Sequence, residues 1–404
     1  MPRFEPFPGV RYDLDRVELD DVVAPPYDVI GPEDQKDLEA RSPYNVVHID
    51  LPRDEEGRDR YTGARCRFDE WLAGGVLLTD PEPGFYAYRM GYHDPEGHSR
   101  QIVGVLGALE VAAPGEADVL PHEETQHKVR DDRLRLLRAC RADLSPVWGL
   151  SLAEGLTELI SATPGAPVER CTDEEGVHHR LWRVTQPAVL EAVTATVSSG
   201  PVIIADGHHR YATALAHRDE RRAARGGARG AEDLLLALVT ELADSQAGVR
   251  PIHRLVGGLP DRFDLLAALE PFFEATPADP PLATLPDRME ETGALGLVLG
   301  DERAWLLAPR EAAGGSGDGG PPPDAALLDQ ALATLPPHSL AFEHALDSVR
   351  ARLAAGEVSA GVLLRPVDVR QIARTALAGR RMPTKTTFFH PKPRTGMVFR
   401  RLAD

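Results

Sequence analysis

The chain has 404 residues, with 63 acidic and 45 basic side chains and a formal net charge of −18. That balance disfavours a nucleic-acid partner, which needs a clustered basic face, and no apolar run approaches the roughly 18 residues needed to span a bilayer. Cys66, Cys140 and Cys171 form no CxxC pair and Met1–Pro6 carries no apolar leader, so neither a disulfide framework nor a cysteine zinc site is expected and the expected compartment is the reducing cytoplasm.

The length points to about two to three domains. Segment 1–112 reads as α+β: Val46–Leu51 as a strand, residues 58–74 as a helix, and Gly84–Tyr92 with Arg100–Glu110 as a hairpin across Asp94-Pro95-Glu96-Gly97. The proline-bearing runs Ala24-Pro25-Pro26-Tyr27-Asp28 and Ser42-Pro43-Tyr44-Asn45 read as rigid loops, and neither is assigned a chemical step.

In 113–258, Leu120-Pro121-His122-Glu123-Glu124 falls on a turn before a helix over 129–144. One stripe of that helix carries Val129, Leu136, Leu137, Cys140 and Leu144. Arg130, Arg133, Arg135, Arg138 and Arg141 read as a solvated face, or as supplying one arginine at a helix end to an anion. Glu123 is a candidate base for a hydroxyl attacking phosphorus. First-turn acids favoured by the helix dipole explain Glu123 and Glu124 equally well.

Pro201–Ala205 is a short apolar run that stops at Asp206-Gly207, after which Tyr211, Leu215 and Ala216 follow a helical period. A strand turning into a helix there aims free backbone N–H groups and the helix dipole at one point, next to His208, His209 and Arg210. Such a point binds phosphate. Gly207 permits close approach or positive φ, and Arg210 has the fork that grips phosphate oxygens. The histidines also read as core or capping residues, or as zinc or iron ligands with Asp206, although adjacent helix positions face different sides. Arg221–Gly230 reads as a loop and Leu234–Leu242 as a buried strand.

In 259–404, Glu311–Pro323 reads as a Gly/Pro-rich surface loop, Ala360–Leu364 as a strand, and Val367–Ala378 as a helix stopped by Gly379. Thr384-Lys385-Thr386-Thr387, followed by His390-Pro391-Lys392, reads either as a clamp for a carboxylate or phosphate or as a solvated basic tail.

Pro121-His122-Glu123, Ile204–Arg210 and Lys385-Thr386-Thr387 resemble, in the same order, motifs of the free-serine kinases built on the ParB/sulfiredoxin fold. Over its whole length the chain also resembles a bacterial and archaeal family known as a domain of unknown function. Its recognisable runs are Ala24–Asp28, Asp206–Tyr211 and Met382-Pro383-Thr384-Lys385. The resemblance implies a mixed α/β (α+β) protein with a ParB/sulfiredoxin-like phosphate-binding core in 113–258, flanked by an N-terminal α+β segment, 1–112, and a C-terminal α+β domain, 259–404, carrying a substrate loop. It implies a small-molecule kinase moving a phosphoryl group from ATP or ADP, with Mg2+, to the hydroxyl of free L-serine or a similar metabolite.

In the implied site Glu123 is the base, and Asp206 is catalytic and binds the metal. Gly207, His208, His209 and Arg210 hold the nucleotide phosphates, and Lys385, Thr386 and Thr387 bind substrate. The expected partners are a nucleotide and a small molecule. The alternative is a nucleotide-binding switch of the ParB type, using CTP or ATP. Sulfiredoxin has a similar turn, but its nucleophilic cysteine falls at His208, which disfavours sulfinic-acid repair. The chain departs from the kinases in the spacing from Glu123 to Asp206, which implies an insertion around Ala153–Thr196, and in the N-terminal segment, which has no counterpart there.

Overall fold

A computed structural model describes residues 1–94, 97–121, 127–163, 165–243, 246, 248–260, 262–278, 284–301, 303–310 and 322–402. The chain folds as two units. Met1–Pro121, Thr125–Gly248 and Pro391–Asp404 form the first, and Val249–His390 forms the second. The mixed α/β class is as expected.

The first unit is built on one nine-stranded sheet. Its path runs Val119–Pro121, Val202–Asp206, Val147–Ser151, Leu234–Glu241, Ser99–Glu110, Phe85–His93, His178–Val184, Glu169–Thr172, with Phe4–Glu5 added beside Ser99–Glu110. Val202–Asp206 runs parallel to Val119–Pro121, and Leu234–Glu241 runs parallel to Val147–Ser151; the other pairs are antiparallel. Segments 1–112 and 113–258, set apart in the sequence reading, share this sheet, because Ser99–Glu110 pairs in register with Leu234–Glu241 from Glu110↔Leu234 to Gly104↔Thr240. The apolar faces of these strands need each other to leave water.

The expected hairpin is present as Phe85–His93 and Ser99–Glu110, and the expected helix over 58–74 as Arg60–Ala73, capped by Asp59. Val46–Leu51 is not a strand but contains the helical turn Val47–Asp50. A short apolar run cannot be told from a buried helical segment by its period. Here fully buried Asn45 decides: its Oδ1 accepts from the Val47 N–H at 3.0 Å, while its Nδ2 donates to the Asp21 carbonyl at 2.7 Å. The arginine helix is His127–Cys140, with Leu134, Leu136 and Cys140 buried. Arg133, one of the arginines read as a solvated face or as an anion's partner at a helix end, is buried as well. The helix after Gly207 runs to Ala224, so the expected loop is confined to 225–230; Arg222 and Arg225 bind Asp233 and Glu232 and tie the helix end down.

The second unit holds a six-stranded antiparallel sheet, Phe273–Ala278, Ala304–Pro309, Leu295–Leu299, Ala360–Leu363, His253–Gly257, Ser339–Glu343. Its core gathers Phe273, Leu295, Leu297, Leu307 and Leu328. The expected helix appears as Val369–Leu377, capped by Asp368 and followed by Gly379 at φ 65°. All of Glu311–Pro323 except its last two residues lies outside the described residues. Among the described residues no helix is long and apolar enough to cross a membrane.

Candidate phosphate site

Val202, Ile203 and Ile204 are fully buried, so the strand before the turn is fixed on both faces. Its pairing with Val147–Ser151 slips between Ile204 and Asp206, a bulge that re-aims the chain at the strand end. Gly207 then takes a left-handed conformation, φ 84°, and the helix His208–Ala224 begins. Glycine is required here twice over. The backbone is in the left-handed region, and a Cβ would lie 2.9 Å from Arg210 Nε and 3.0 Å from its Cζ.

That closeness exists because Arg210 folds back over the turn. Its Nη2 donates to Asp206 Oδ2 at 2.7 Å, and its Nη1 donates to Ser145 Oγ at 2.7 Å and to the Pro146 carbonyl. The guanidinium expected to grip a phosphate is therefore engaged in holding strand end, helix start and the 145–146 turn together. The second oxygen of Asp206 accepts from Lys392 Nζ. The three side chains are only 10–13 % exposed, so their attraction is poorly screened by water. Burial alone pushes the Asp206 carboxyl up, but Lys392 and Arg210 overcome it and hold the group well below the usual carboxylate range. Asp206 stays ionised and is a weak proton acceptor.

Lys392, read from the sequence as part of an anion clamp or of a solvated basic tail, is placed by its neighbours. The Arg394 backbone N–H donates to Tyr88 Oη at 3.1 Å, and the Arg394 guanidinium donates to Glu174 at 2.9 Å. Thr395 exchanges backbone bonds with Ala24 at 2.8 and 3.1 Å, and its hydroxyl donates to Ser145 Oγ at 3.0 Å. Asp206, Arg210, Ser145, Thr395 and Lys392 thus form a closed ring of bonds and backbone. The run Ala24–Asp28 joins this surrounding: Arg133 stacks over the Tyr27 ring at 4.3 Å and pairs with Asp132 at 2.7 Å and Asp50 at 3.5 Å.

His208 is buried and His209 half-buried, as adjacent helix positions require. Among the described residues no three His, Cys, Asp or Glu side chains converge as a metal site. Mg2+ is satisfied by one or two carboxylates plus phosphate oxygens. Both oxygens of Asp206 already face cations, so Mg2+ fits there only if Lys392 or Arg210 lets go. Glu123 and Glu124 lie outside the described residues.

Lys385, Thr386 and Thr387 belong to the second unit. Lys385 is exposed on a left-handed backbone, φ 59°, and buried Arg254 clamps the loop from within by donating to the Lys385 carbonyl at 2.8 Å and the Thr384 carbonyl at 3.3 Å. The Thr386 hydroxyl donates to the Pro383 carbonyl at 2.7 Å. Thr386 therefore shapes the loop, and Lys385 is the side chain it presents.

The family model described as "Protein of unknown function (DUF1015)" matches residues 4–336. The chain belongs to this family. The match takes in Ala24–Asp28 and Asp206–Tyr211, two of the runs that mark the family in the sequence, while Met382–Lys385 lies beyond it. No curated protein matches this family member. Solved structures similar to it include a conserved hypothetical protein from Pyrococcus furiosus, 13 % identical over 67 % of this chain and 87 % of that one, with a TM-score of 0.35. A free serine kinase in complex with AMP is 13 % identical over 67 % and 83 %, with a TM-score of 0.37. SbnI with C-terminal truncation from Staphylococcus aureus is 11 % identical over 72 % and 86 %, with a TM-score of 0.39.

Proposed function

We propose that this protein transfers a phosphoryl group from ATP or ADP to the hydroxyl of a small metabolite, free L-serine or a close analogue, at the turn Asp206–Arg210. The observation that carries the reading is the turn itself: a left-handed glycine opening a 17-residue helix, with an ionised aspartate held between two cations. The first amides of that helix have no intrahelical acceptor, and its dipole favours an anion.

In this reading Arg210 stays with Asp206, Ser145 and Pro146 and fixes the turn, while Lys392 turns from Asp206 to the phosphate oxygens. His208 and His209 border the anion. Glu123 takes the proton from the acceptor hydroxyl, a role that rests on the Pro121-His122-Glu123 run. Mg2+ at Asp206 has to displace a cation, so the neutralising charge at the turn is assigned to Lys392. Positioning and charge neutralisation then supply most of the rate. A ParB/sulfiredoxin-like core and a cytoplasmic setting, with a nucleotide and a small molecule as partners, go with this reading.

Phosphorus NMR of the purified protein with Mg2+, serine and either ATP or ADP tests it. A new phosphomonoester resonance that vanishes in Glu123→Gln is the expected result. Nucleotide binding without any phosphorylated acceptor sinks the kinase reading and leaves the nucleotide switch.

A further inference from the structure

The strand Glu169–Thr172 ends the nine-stranded sheet, and the stretch 14–20 lies beside its free edge, where the Thr172 N–H donates to Asp20 Oδ1 at 2.8 Å. The two border an open groove of about 400 Å3 within the first unit, a size typical of small-molecule sites. Leu14 and Val17 give it an apolar rim, and Leu14 is 41 % exposed.

Cross-strand register sets three arginines in a row, with Arg170 opposite Arg180 and Arg180 opposite Arg89. Like charges so placed repel. Arg89 is satisfied elsewhere: it donates to the Ile160 and Ser161 carbonyls at 3.3 and 2.9 Å and stacks on Trp182. Arg170 and Arg180 line the groove, are exposed, and have no carboxylate partner among the described residues. In a chain of net charge −18, acids to pair them are plentiful. Two adjacent guanidiniums without an acid make a seat for carboxylate or phosphate oxygens.

The other charges of the groove choose between these. Glu18 and Asp20 also line it, are exposed, and form no ion pair with either arginine. Glu18 precedes the helical turn Leu19–Val22, but its side chain makes no capping bond. Of the two histidines in the lining, His179 is fully buried with both ring nitrogens bonded, to Tyr88 and Asp173. His178 bonds the Thr172 hydroxyl at 3.0 Å and shares the strand face of Arg180, so any charge it takes up adds to the arginines' side. A phosphate on the arginines would face two carboxylates, and a lone ammonium would face two arginines. A molecule carrying both a carboxylate and an ammonium meets each charge with its opposite, and an apolar side chain covers Leu14 and Val17.

We propose that this groove binds a zwitterionic amino acid with an apolar side chain, its carboxylate on Arg170 and Arg180 and its ammonium on Glu18 and Asp20. None of these four residues belongs to the turn Asp206–Arg210, so the site stands or falls without phosphoryl transfer.

The test is amide NMR of the whole protein titrated with L-leucine, leucinamide, 4-methylpentanoate and inorganic phosphate, with no nucleotide present. The Thr172 and Arg180 amide signals are expected to move saturably with L-leucine. Leucinamide and 4-methylpentanoate, each lacking one of the two charges, should bind at least about tenfold more weakly. Arg170→Gln combined with Arg180→Gln changes only exposed side chains and should abolish the response. Glu18→Gln should weaken L-leucine severalfold and leave 4-methylpentanoate as it was. The proposal is overturned by the absence of a saturable shift with L-leucine, by tighter binding of phosphate or of either singly charged probe, or by an unchanged response in the double variant.

Discussion

Two cations meet one carboxylate at Asp206, and they are not interchangeable. Arg210 makes directional bonds to three different partners, whereas Lys392 is a point charge on a flexible stem. Arg210→Lys keeps the charge but cannot reach Asp206, Ser145 and the Pro146 carbonyl together, so it should lower stability by about 2–4 kcal/mol in denaturant unfolding. Lys392→Met leaves Asp206 with Arg210; it should cost about 1–2 kcal/mol of stability and weaken nucleotide binding by roughly tenfold in calorimetry. Equal nucleotide affinity in that variant would remove Lys392 from the phosphate site.

A second carboxylate has the opposite balance. Glu169 is fully buried and accepts from Arg11 at 2.9 Å, yet burial outweighs that partner and raises its carboxyl from 4.5 to about 8. Because the folded-state value is the higher one, the folded protein holds the extra proton, and stability falls as pH rises from 4.5 to about 8. Melting temperatures of Glu169→Gln across that window should fall less steeply than those of the native protein.

At the scale of elements, what was legible was local. The apolar run 202–205 stops at Asp-Gly because the chain turns there, and the helical period after it is carried by Tyr211, whose hydroxyl bridges to Ala112. The hairpin from Gly84 and the strand from Leu234 were readable for the same reason: each repeats its pattern over more than five residues. Three kinds of information were not local. Val47–Asp50 is a helical turn because the distant carbonyl of Asp21 recruits Asn45. Arg133 is buried because Tyr27, from another part of the chain, offers it a ring face. Lys392 reaches Asp206 across 186 residues of sequence, a distance no periodicity spans. Gly207 joins the local and the distant, since its left-handed φ follows from the turn while the room it leaves is needed by Arg210. Gly207→Ala should therefore cost about 1–2 kcal/mol for the backbone alone, with a further loss from displacing Arg210, and thermal melting checks it.

For the molecule as a whole, thiol chemistry reports on the packing. Burial pushes Cys140 and Cys171 up to about 12, whereas Cys66 is half-buried. A thiol reagent should modify Cys66 first and reach the other two only on unfolding.

Pro391–Asp404 belongs to the first unit although the whole second unit precedes it in the chain. It carries fully buried Phe399, and Arg400–Arg401 pairs with Ala142–Asp143. During translation this has a cost in time. At about 5–20 residues per second the ribosome needs roughly seven to thirty seconds to make Val249–His390. For that interval the nascent first unit must wait with a hole where Phe399 will sit and with Asp206 missing one of its two cations, so this is the stage at which a chaperone has something to hold.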